Sequence, residues 1–460
     1  MRLLVSWLRD FVEVDASPEE IAERVGLRGF EVASVEPWGE GDAVIDFEVT
    51  ANRPDCLSVV GLAREVATIY DRPMVLPSTL PDAAIALAPL TVGRSERVRI
   101  TIDDAALCPR YTAAVADVTI GPSPAWMSRR LQAAGIRPIS SIVDLTNYVL
   151  IELGQPMHAF DLARLAGPEI RVRRAVEGEQ LTTLDGVART LSTDMLVIAD
   201  RDRPQAVAGV MGGAAAEVTA ATRTVLFESA YFAPASIRRT GKRLNLRTEA
   251  SARFERGADI SATLPALARL AALMERIGAG RMVGPAIDVY PTPRKPDAIH
   301  LRRARLALVL GVTVSDASVS RILTALGLLV TPVPDGWDVT VPTFRVDLLR
   351  EIDLIEEVGR HDGFEHLADT FPVVTAPAPP PDPRIPRDRL VRRVLTGAGL
   401  SEAVTFGFIE ARTAARFAEA DPHPAVSIEN PLSAKFDTLR PSLVPGLVDA
   451  VAHNRRHGRD

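Results

Sequence analysis

Apolar residues recur along this chain with helical spacing in some segments and with the alternation of strands in others. The helical spacing i, i+3, i+4, i+7 is met by Val319, Ile322, Leu323 and Leu326. Ser315 can cap this predicted helix and Gly327 can end it. A hairpin that turns at Asp335-Gly336 follows, and then a helix over residues 348–361. Helix, hairpin and helix in this order are compatible with a winged-helix module.

The same patterns, together with the proline content, divide the chain into five parts. Residues 1–90 contain a capped helix, an alternating strand and a second helix, and residues 91–290 mix helices with short strands, as one α/β domain would. Residues 291–367 hold the winged-helix-like elements, and residues 368–386 form a stiff proline-rich linker. Residues 387–460 show few strands and look like the start of a further domain. The pattern predicts an α+β multidomain protein.

The amino-acid composition excludes few classes of protein. Hydrophobic residues make up 47% and charged residues 24% of the 460 residues, which is ordinary for a chain that buries several cores. The net charge of −6 gives no overall attraction to phosphate. A nucleic-acid contact would therefore need a local basic patch or a partner chain.

Cysteine usage and hydropathy favour a cytoplasmic protein. Cys56 and Cys108 are the only cysteines and form no CxxC pair, which excludes a disulfide framework and a zinc ribbon. No apolar run approaches the roughly 20 residues that span a bilayer. Polar residues also interrupt the N-terminal segment before a signal peptide could form. We therefore expect no association with a membrane.

The densest cluster of polar side chains lies between residues 146 and 161. His158 falls in a predicted loop, and a lone loop histidine is more often structural or solvated than catalytic. Thr146 and Asn147 fall in the middle of a helix predicted over residues 142–153, where such residues are poor helix formers. Their presence there favours a binding site.

Three further segments offer polar groups or exposed backbone. Residues 208–213 are rich in glycine but lack the lysine of a P-loop and the spacing of a dinucleotide fingerprint. A tight turn and a close approach of backbone to a ligand both remain open for them. Glu228 ends an apolar strand, and residues 247–257 follow a basic run at 238–243 that would usually be a solvated face. Alone, none of these segments specifies a reaction.

Together the segments resemble those of a known family. The matching motifs are, in chain order, NRPDC at 52–56, TNY at 146–148 with GQPMHAFD at 154–161, VMGG at 210–213, and TEAS at 248–251 with FERG at 254–257. They are similar to motifs of the phenylalanyl-tRNA synthetase β subunits of bacteria, and the resemblance covers essentially the whole chain. It implies a B3/B4-type editing domain in residues 91–290 and a winged-helix-like B5 domain in residues 291–367. Residues 387–460 would begin an inactive, antiparallel class II synthetase-like domain.

The resemblance implies that the editing domain hydrolyses tyrosine wrongly attached to the phenylalanine tRNA. A pocket for phenylalanine cannot strongly reject an isostere that only adds a hydroxyl, whereas a second site that hydrogen-bonds this hydroxyl can discriminate well. Eight residues match the editing site of the family: Arg137, Thr146, Asn147, His158, Gly212, Glu228, Thr248 and Ala250.

The resemblance also implies a role for each of these residues. Glu228 would accept the tyrosine hydroxyl, the backbone at Gly212 would add a contact, and Thr248 and Ala250 would shape the pocket. The remaining four would lie toward the ester and the terminal adenosine. The sequence shows no zinc ligands and no nucleophile–base pair, so the implied chemistry is attack of water on an ester, promoted by positioning. No residue of this chain is expected to be catalytic in the attachment of phenylalanine to tRNA.

Four carboxylates near residue 350 have a second implied role. Asp353, Glu356 and Glu357 would share one face of a helix, and Asp347 sits where an N-cap belongs. An ordinary solvated acidic face accounts for this pattern. The resemblance instead assigns Asp347, Asp353, Glu356 and Glu357 to Mg²⁺ shared with an α subunit. It further implies ATP as a substrate of the complex, an α2β2 tetramer and tRNA-Phe as a partner.

The chain also departs from the family. An OB-fold tRNA-binding insert is missing between Trp38 and Ile45, and the later C-terminal domains are missing, which indicates a truncated or partial sequence. Two alternatives to a synthetase subunit therefore stay open. One is a free-standing editing hydrolase, and the other is a non-catalytic scaffold or nucleic-acid-binding module.

Overall fold

The computed structural model describes residues 1–39, 41–78, 86–367, 371, 379–417 and 425–459. The chain divides into two units, Met1–Asp369 and Thr370–Asp460. Part of the segment predicted as a proline-rich linker, residues 368–370 and 372–378, lies outside the described residues. Within the described ranges, no helix combines the length and the apolar character that crossing a bilayer requires.

The first part of the chain forms a small sheet covered by helices. Its elements are β1 (Arg2–Leu4), α1 (Val5–Leu8), α2 (Pro18–Gly26), β2 (Glu31–Pro37), β3 (Ala43–Glu48) and α3 (Val59–Tyr70). The side chain of Ser17 accepts a hydrogen bond from the N–H of Glu20, so α2 begins at its predicted cap. The strands lie in the antiparallel order β1-β3-β2, so β3 pairs with both of the other strands.

The central region contains two larger sheets. Its elements are β4 (Arg99–Ile102), β5 (Arg110–Val118), α4 (Ala125–Ala133), α5 (Ser141–Leu153), β6 (Met157–Asp161), β7 (Glu169–Arg174), β8 (Gln180–Thr182), β9 (Ala188–Thr190), β10 (Leu196–Ala199), β11 (Pro204–Val207), β12 (Met211–Gly212), β13 (Thr224–Tyr231), α6 (Pro234–Leu244), α7 (Glu249–Phe254), α8 (Thr263–Arg276), β14 (Gly280–Met282) and β15 (Ile287–Val289). One sheet has the order β12-β11-β10-β7-β4, and the other has the order β14-β5-β13-β6, with β15 also paired to β5.

Strand β13 separates two hydrophobic cores. Val225 and Phe227 belong to the core shared with α5 and α8, whereas Leu226 and Ala230 belong to the core shared with the β12-β11-β10-β7-β4 sheet. Side chains of a strand alternate between its two faces. Glu228 therefore lies on the face of Leu226 and Ala230, which is directed toward the second sheet.

The region that follows has the predicted order of helix, hairpin and helix. Its elements are β16 (Ala298–Arg302), α9 (Arg303–Leu310), α10 (Asp316–Ala325), β17 (Leu329–Val333), β18 (Gly336–Thr340) and α11 (Glu351–Asp362). Ser315 caps α10 as predicted, and the strands form the sheet β16-β18-β17. The prediction that Asp347 caps the last helix is wrong: α11 begins after Arg350. The carboxyl of Asp347 is held instead by the guanidinium of Arg345.

The described part of the second unit consists mainly of helices, with two very short strands. They are α12 (Arg384–Gly397), β19 (Phe408–Ile409), α13 (Ala411–Phe417), β20 (Thr438–Leu439) and α14 (Val444–Arg456). Helix α12 ends at Gly397 as predicted, and β19 pairs with β20 in an antiparallel ladder. The molecule thus mixes helices and sheets, as predicted.

Candidate functional site

A cavity of about 300 Å³ opens between the two sheets of the central region, within the size range of small-molecule sites. Seven of the eight predicted editing residues line it: Thr146, Asn147, His158, Gly212, Glu228, Thr248 and Ala250. Arg137 does not line it and lies exposed in the connection between α4 and α5. Segments more than 100 residues apart in sequence therefore meet in one place.

Glu228 and His158 are neighbours across two strands. They are paired directly in the antiparallel register of β13 and β6, so their side chains lie on the same face of the sheet. The prediction that His158 lies in a loop is wrong. Pairing with β13 makes residues 157–161 a strand, and the sequence of so short a segment does not reveal this pairing.

Glu228 is buried, with 5% of its surface exposed. The hydroxyl of Tyr111 on β5 donates a hydrogen bond to its Oε2 atom at 2.9 Å. Burial raises the pKa of Glu228 to about 8, because desolvation disfavours the carboxylate more strongly than the Tyr111 hydrogen bond favours it. At pH 7 this side chain is therefore a neutral acid.

His158 is neutral for the same physical reason. Burial lowers the pKa of His158 to about 4, because desolvation disfavours the charged imidazolium. The ring packs edge-on against Phe160, with 4.5 Å between the ring centroids. The cavity thus contains an acid and a base that are both uncharged at pH 7.

Gly212 lies against the ring of His158. A Cβ atom added at this position would be 2.3 Å from Cε1 and 2.6 Å from Nε2 of His158. No real side chain tolerates such contacts. The absence of a side chain at residue 212 is therefore what lets the histidine ring lie beside the strand β12.

The two threonine hydroxyls of the cavity are engaged with backbone. Thr248 is the N-cap of α7, where its Oγ1 accepts from the N–H of Ser251 at 3.0 Å and donates to the carbonyl of Val210 at 2.9 Å. It ties α7 to the glycine-containing segment. The hydroxyl of Thr146 donates to the carbonyl of Val143 at 2.7 Å. Neither hydroxyl contacts a base that would activate it as a nucleophile.

Sequence reasoning missed some of the residues that form this site. Tyr111 is the main one, since it contacts Glu228 directly. It does not line the cavity itself, whereas Leu184, Met211 and Phe254 do. An aromatic or aliphatic residue in a predicted strand or helix has the pattern of an ordinary core residue. Nothing local in the sequence distinguishes Tyr111 from such a residue.

The four carboxylates expected to bind magnesium are not gathered into one set of ligands. Glu357 is buried, and its oxygens accept hydrogen bonds from Arg345 at 2.7 Å and from Arg360 at 2.7 and 2.8 Å. Asp347 is bound by both Nε and Nη2 of Arg345. Asp353 accepts from the N–H groups of residues 349 and 350 at the start of α11, and Glu356 is exposed.

Asp353, Glu356 and Glu357 all lie on α11, but Glu357 is buried whereas Glu356 is exposed, so the three do not form an ordinary solvated acidic face. Among the described residues, Glu65, Glu357 and His361 form one of two groups with the spacing of metal ligands, and Asp55, Cys56 and Glu65 form the other. Both groups contain carboxylates paired with arginines. Cationic partners already neutralise these carboxylates, so neither group fits a magnesium site.

Comparison with known proteins gives three matching family models. The model of the B3/4 domain matches residues 107–279, and that of the tRNA synthetase B5 domain matches residues 299–364. The model of the phenylalanyl tRNA synthetase beta chain CLM domain matches residues 367–460. The cavity lies within the first of these matches.

Named relatives resemble the chain over nearly all of its length. The phenylalanine–tRNA ligase beta subunit of Moorella thermoacetica is 44% identical over 445 residues, which cover 96% of this chain and 53% of that protein. The beta subunit of Geobacter metallireducens is 42% identical over 427 residues, which cover 90% of this chain and 52% of that protein. The chain thus spans about half the length of the curated relatives it matches.

A solved structure also matches at a lower level. It is an N-terminal fragment of the phenylalanyl-tRNA synthetase beta-subunit from Pyrococcus horikoshii, with a TM-score of 0.44 and 15% identity over 79% of this chain and 99% of the fragment. This match adds nothing to the assignment. On the three family models and the relatives above 40% identity, the chain belongs to the phenylalanyl-tRNA synthetase β-subunit family.

Proposed function

We propose that this chain edits aminoacyl-tRNA: it hydrolyses tyrosine that has been attached wrongly to tRNA-Phe. The observation that supports the proposal best is the juxtaposition of Glu228 and His158 in one cavity that Thr248 and Gly212 also line. The cavity is large enough for a side chain, and its buried carboxyl offers a hydrogen bond at one point only.

Recognition of the phenol follows from the state of Glu228. Among the described residues, Tyr111 alone hydrogen-bonds this carboxyl, through Oε2, so Oε1 is available to a ligand. A tyrosine hydroxyl can satisfy Oε1, whereas phenylalanine would leave a buried polar group without a partner. Such a group costs about 1–3 kcal/mol, which corresponds to roughly 5- to 150-fold discrimination.

The hydrolytic step rests on positioning. A base whose pKa is about 4 accepts a proton poorly at pH 7, so we assign His158 to orienting water or the ester and not to proton abstraction. The threonine hydroxyls are engaged with backbone carbonyls and form no nucleophile–base pair. Attack by a water molecule held next to the ester is the chemistry that this arrangement supports best.

The rest of the proposal concerns the complete ligase. We propose that a chain of this kind works with an α subunit, in an α2β2 complex that attaches phenylalanine to tRNA-Phe with ATP. The Mg²⁺ expected to be shared with the α subunit is part of that proposed complex. Of its four expected ligands, Asp347 and Glu357 are paired with buried arginines, whereas Asp353 and Glu356 are not. A cytoplasmic location fits the two free, buried cysteines.

The domain boundaries remain part of the proposal. We assign residues 1–90 to an N-terminal region, 91–290 to the editing domain and 291–367 to the B5-like domain. Residues 368–386 would be the linker, and residues 387–460 would start the synthetase-like domain.

One assay tests the editing function. The chain, alone and together with an α subunit, is incubated with tRNA-Phe charged with tyrosine or with phenylalanine. We expect release of tyrosine only, and loss of this release in Glu228→Ala but not in the exposed control Glu217→Ala. Equal release of both amino acids would rule out the proposed selectivity. Release without the α subunit would favour a free-standing hydrolase, and release of neither would favour a scaffold.

A further inference from the structure

Tyr111 and Glu228 form a buried pair that neighbouring strands hold in place. Tyr111 is fully buried, at 0% exposure, and Glu228 is 5% exposed. In the register of β5 and β13, Glu228 lies opposite Ala113, and Tyr111 lies two residues further along, on the same face. The O–O distance of 2.9 Å is that of an ordinary hydrogen bond. The two strands therefore fix which carboxyl oxygen meets the Tyr111 hydroxyl.

We propose that Tyr111 is a positioning residue for tyrosine recognition, which holds Oε2 of Glu228 so that Oε1 alone is presented to the phenol of the bound amino acid. This inference rests on the proposed editing function. It adds a specificity determinant that does not itself line the cavity.

The direction of the hydrogen bonds follows from the chemistry of a carboxylic acid. A neutral carboxyl has one O–H donor, and its other oxygen only accepts. Because the Tyr111 hydroxyl donates to Oε2, the proton of the neutral acid resides on Oε1. That proton points to the ligand side, where the phenolic oxygen of a tyrosine can accept it. The benzene ring of phenylalanine cannot.

Tyr111 also favours the ionised form of Glu228. Its hydrogen bond opposes the effect of burial, which raises the pKa of this carboxyl to about 8. Removal of the Tyr111 hydroxyl should therefore raise the pKa further. It should also free the carboxyl to turn and to carry its proton on either oxygen. A residue that only fills space in the core would have neither effect.

The test compares Tyr111→Phe with Tyr231→Phe, in the full chain with and without an α subunit. Tyr231 is a matched control because it ends β13, is also buried, and contacts Arg294 outside the cavity. We expect Tyr111→Phe to lower kcat/KM for release of tyrosine about tenfold or more, chiefly through KM, with release of phenylalanine unchanged. Tyr231→Phe should leave both unchanged. The pH profile of tyrosine release should inflect near pH 8 in the wild type and at higher pH in Tyr111→Phe.

Two results would overturn the inference. One is wild-type selectivity in Tyr111→Phe. The other is an equal loss of activity toward both esters with no movement of the inflection, which would indicate a purely structural role.

A binding measurement separates this inference from the editing proposal. p-Cresol and toluene serve as probes of the cavity by NMR. The wild type could fail to release tyrosine and still prefer p-cresol, with this preference lost in Tyr111→Phe. That result would support the positioning role of Tyr111 and reject the proposed editing function. If the wild type shows no preference for p-cresol, the inference falls, whatever the result of the hydrolysis assay.

Discussion

Arg360 on α11 and Glu65 on α3 form a doubly hydrogen-bonded ion pair across 295 positions of sequence, with N–O distances of 2.6 and 2.9 Å. The same guanidinium bonds both oxygens of Glu357. Arg53 donates to Glu65 as well. Burial alone would raise the pKa of Glu65, but Arg360 and Arg53 hold it well below its ordinary value. This network links the N-terminal region to the B5-like region through charges that are almost completely buried.

We expect Arg360→Ala to destabilise the protein strongly. It leaves Glu65 and Glu357 buried with too little positive charge, and breaking a buried pair in this way costs about 3–5 kcal/mol. Urea denaturation measures the loss. The control is Arg302→Ala, which removes an exposed pair with Glu351 and should change little. Similar small effects of both substitutions would contradict a structural role for the network.

Glu228→Gln should change how stability depends on pH. The pKa of Glu228 rises from its ordinary value of 4.5 to about 8 on folding, so the native state binds the extra proton between these two pH values. The free energy of unfolding should therefore fall as the pH rises through this window, by an amount on the order of 4–5 kcal/mol. Glu228→Gln removes this dependence while its amide oxygen can still accept from Tyr111.

Denaturation at pH 5 and pH 8.5 checks this expectation. At each pH, the free energy of unfolding of Glu228→Gln is compared with that of the wild type. This difference should be more favourable to the variant at pH 8.5 than at pH 5. The exposed control Glu217→Gln should show the same difference from the wild type at both pH values. An unchanged pH dependence in Glu228→Gln would show that this carboxyl ionises normally.

His158 should remain neutral throughout the physiological pH range. Its pKa of about 4 lies below the ordinary 6.5, so its contribution to stability is present above pH 6.5 and is lost as the pH falls toward 4. NMR titration of the histidine rings between pH 5 and 8 measures this directly. His300 is the internal control, because its ring N–H groups donate hydrogen bonds to the carboxylates of Asp338 and Asp335, which raise its pKa. We expect His158 to show no titration in this range, whereas His300 should hold its proton to a higher pH than an ordinary histidine does.

Gly212→Ala should reduce editing without unfolding the protein. The new methyl group must displace the ring of His158, because it would lie 2.3 Å from Cε1. Overpacking of this kind costs about 1–3 kcal/mol and moves the side chain that we assign to the ester. Tyrosine release by the full chain should fall at least tenfold. Gly121→Ala is the control, since a Cβ atom there meets no atom within 4 Å. Equal activity of the two variants would remove His158 from the site.

The elements that are predicted best from the sequence are those determined by residues close to one another along the chain. Helix α10 has its Ser315 cap and apolar spacing within a dozen residues, and α5 ends at Gly154, which adopts a positive φ of 78°. The motifs also predicted seven residues of one cavity, because a family resemblance already contains tertiary information.

The failures involve partners distant in sequence. His158 belongs to a strand only because β13 lies beside it. Tyr111 is related to the site only through its hydrogen bond to Glu228, which is 117 positions away in sequence. The expected acidic face on α11 is also interrupted, because Arg345 and Arg360 turn Glu357 into part of the interior. None of these relationships leaves a periodic signal in the sequence.

The alternation along β13 has a consequence for how this family can change. A single residue inserted or deleted within β13, before position 228, would exchange the two faces of the strand at that point. The Glu228 carboxyl would then point into the hydrophobic core formed with α5 and α8, and an apolar side chain would face the cavity in its place. Loops generally tolerate changes of length, but the alternation along this strand has to be kept for the proposed recognition of a phenol to persist.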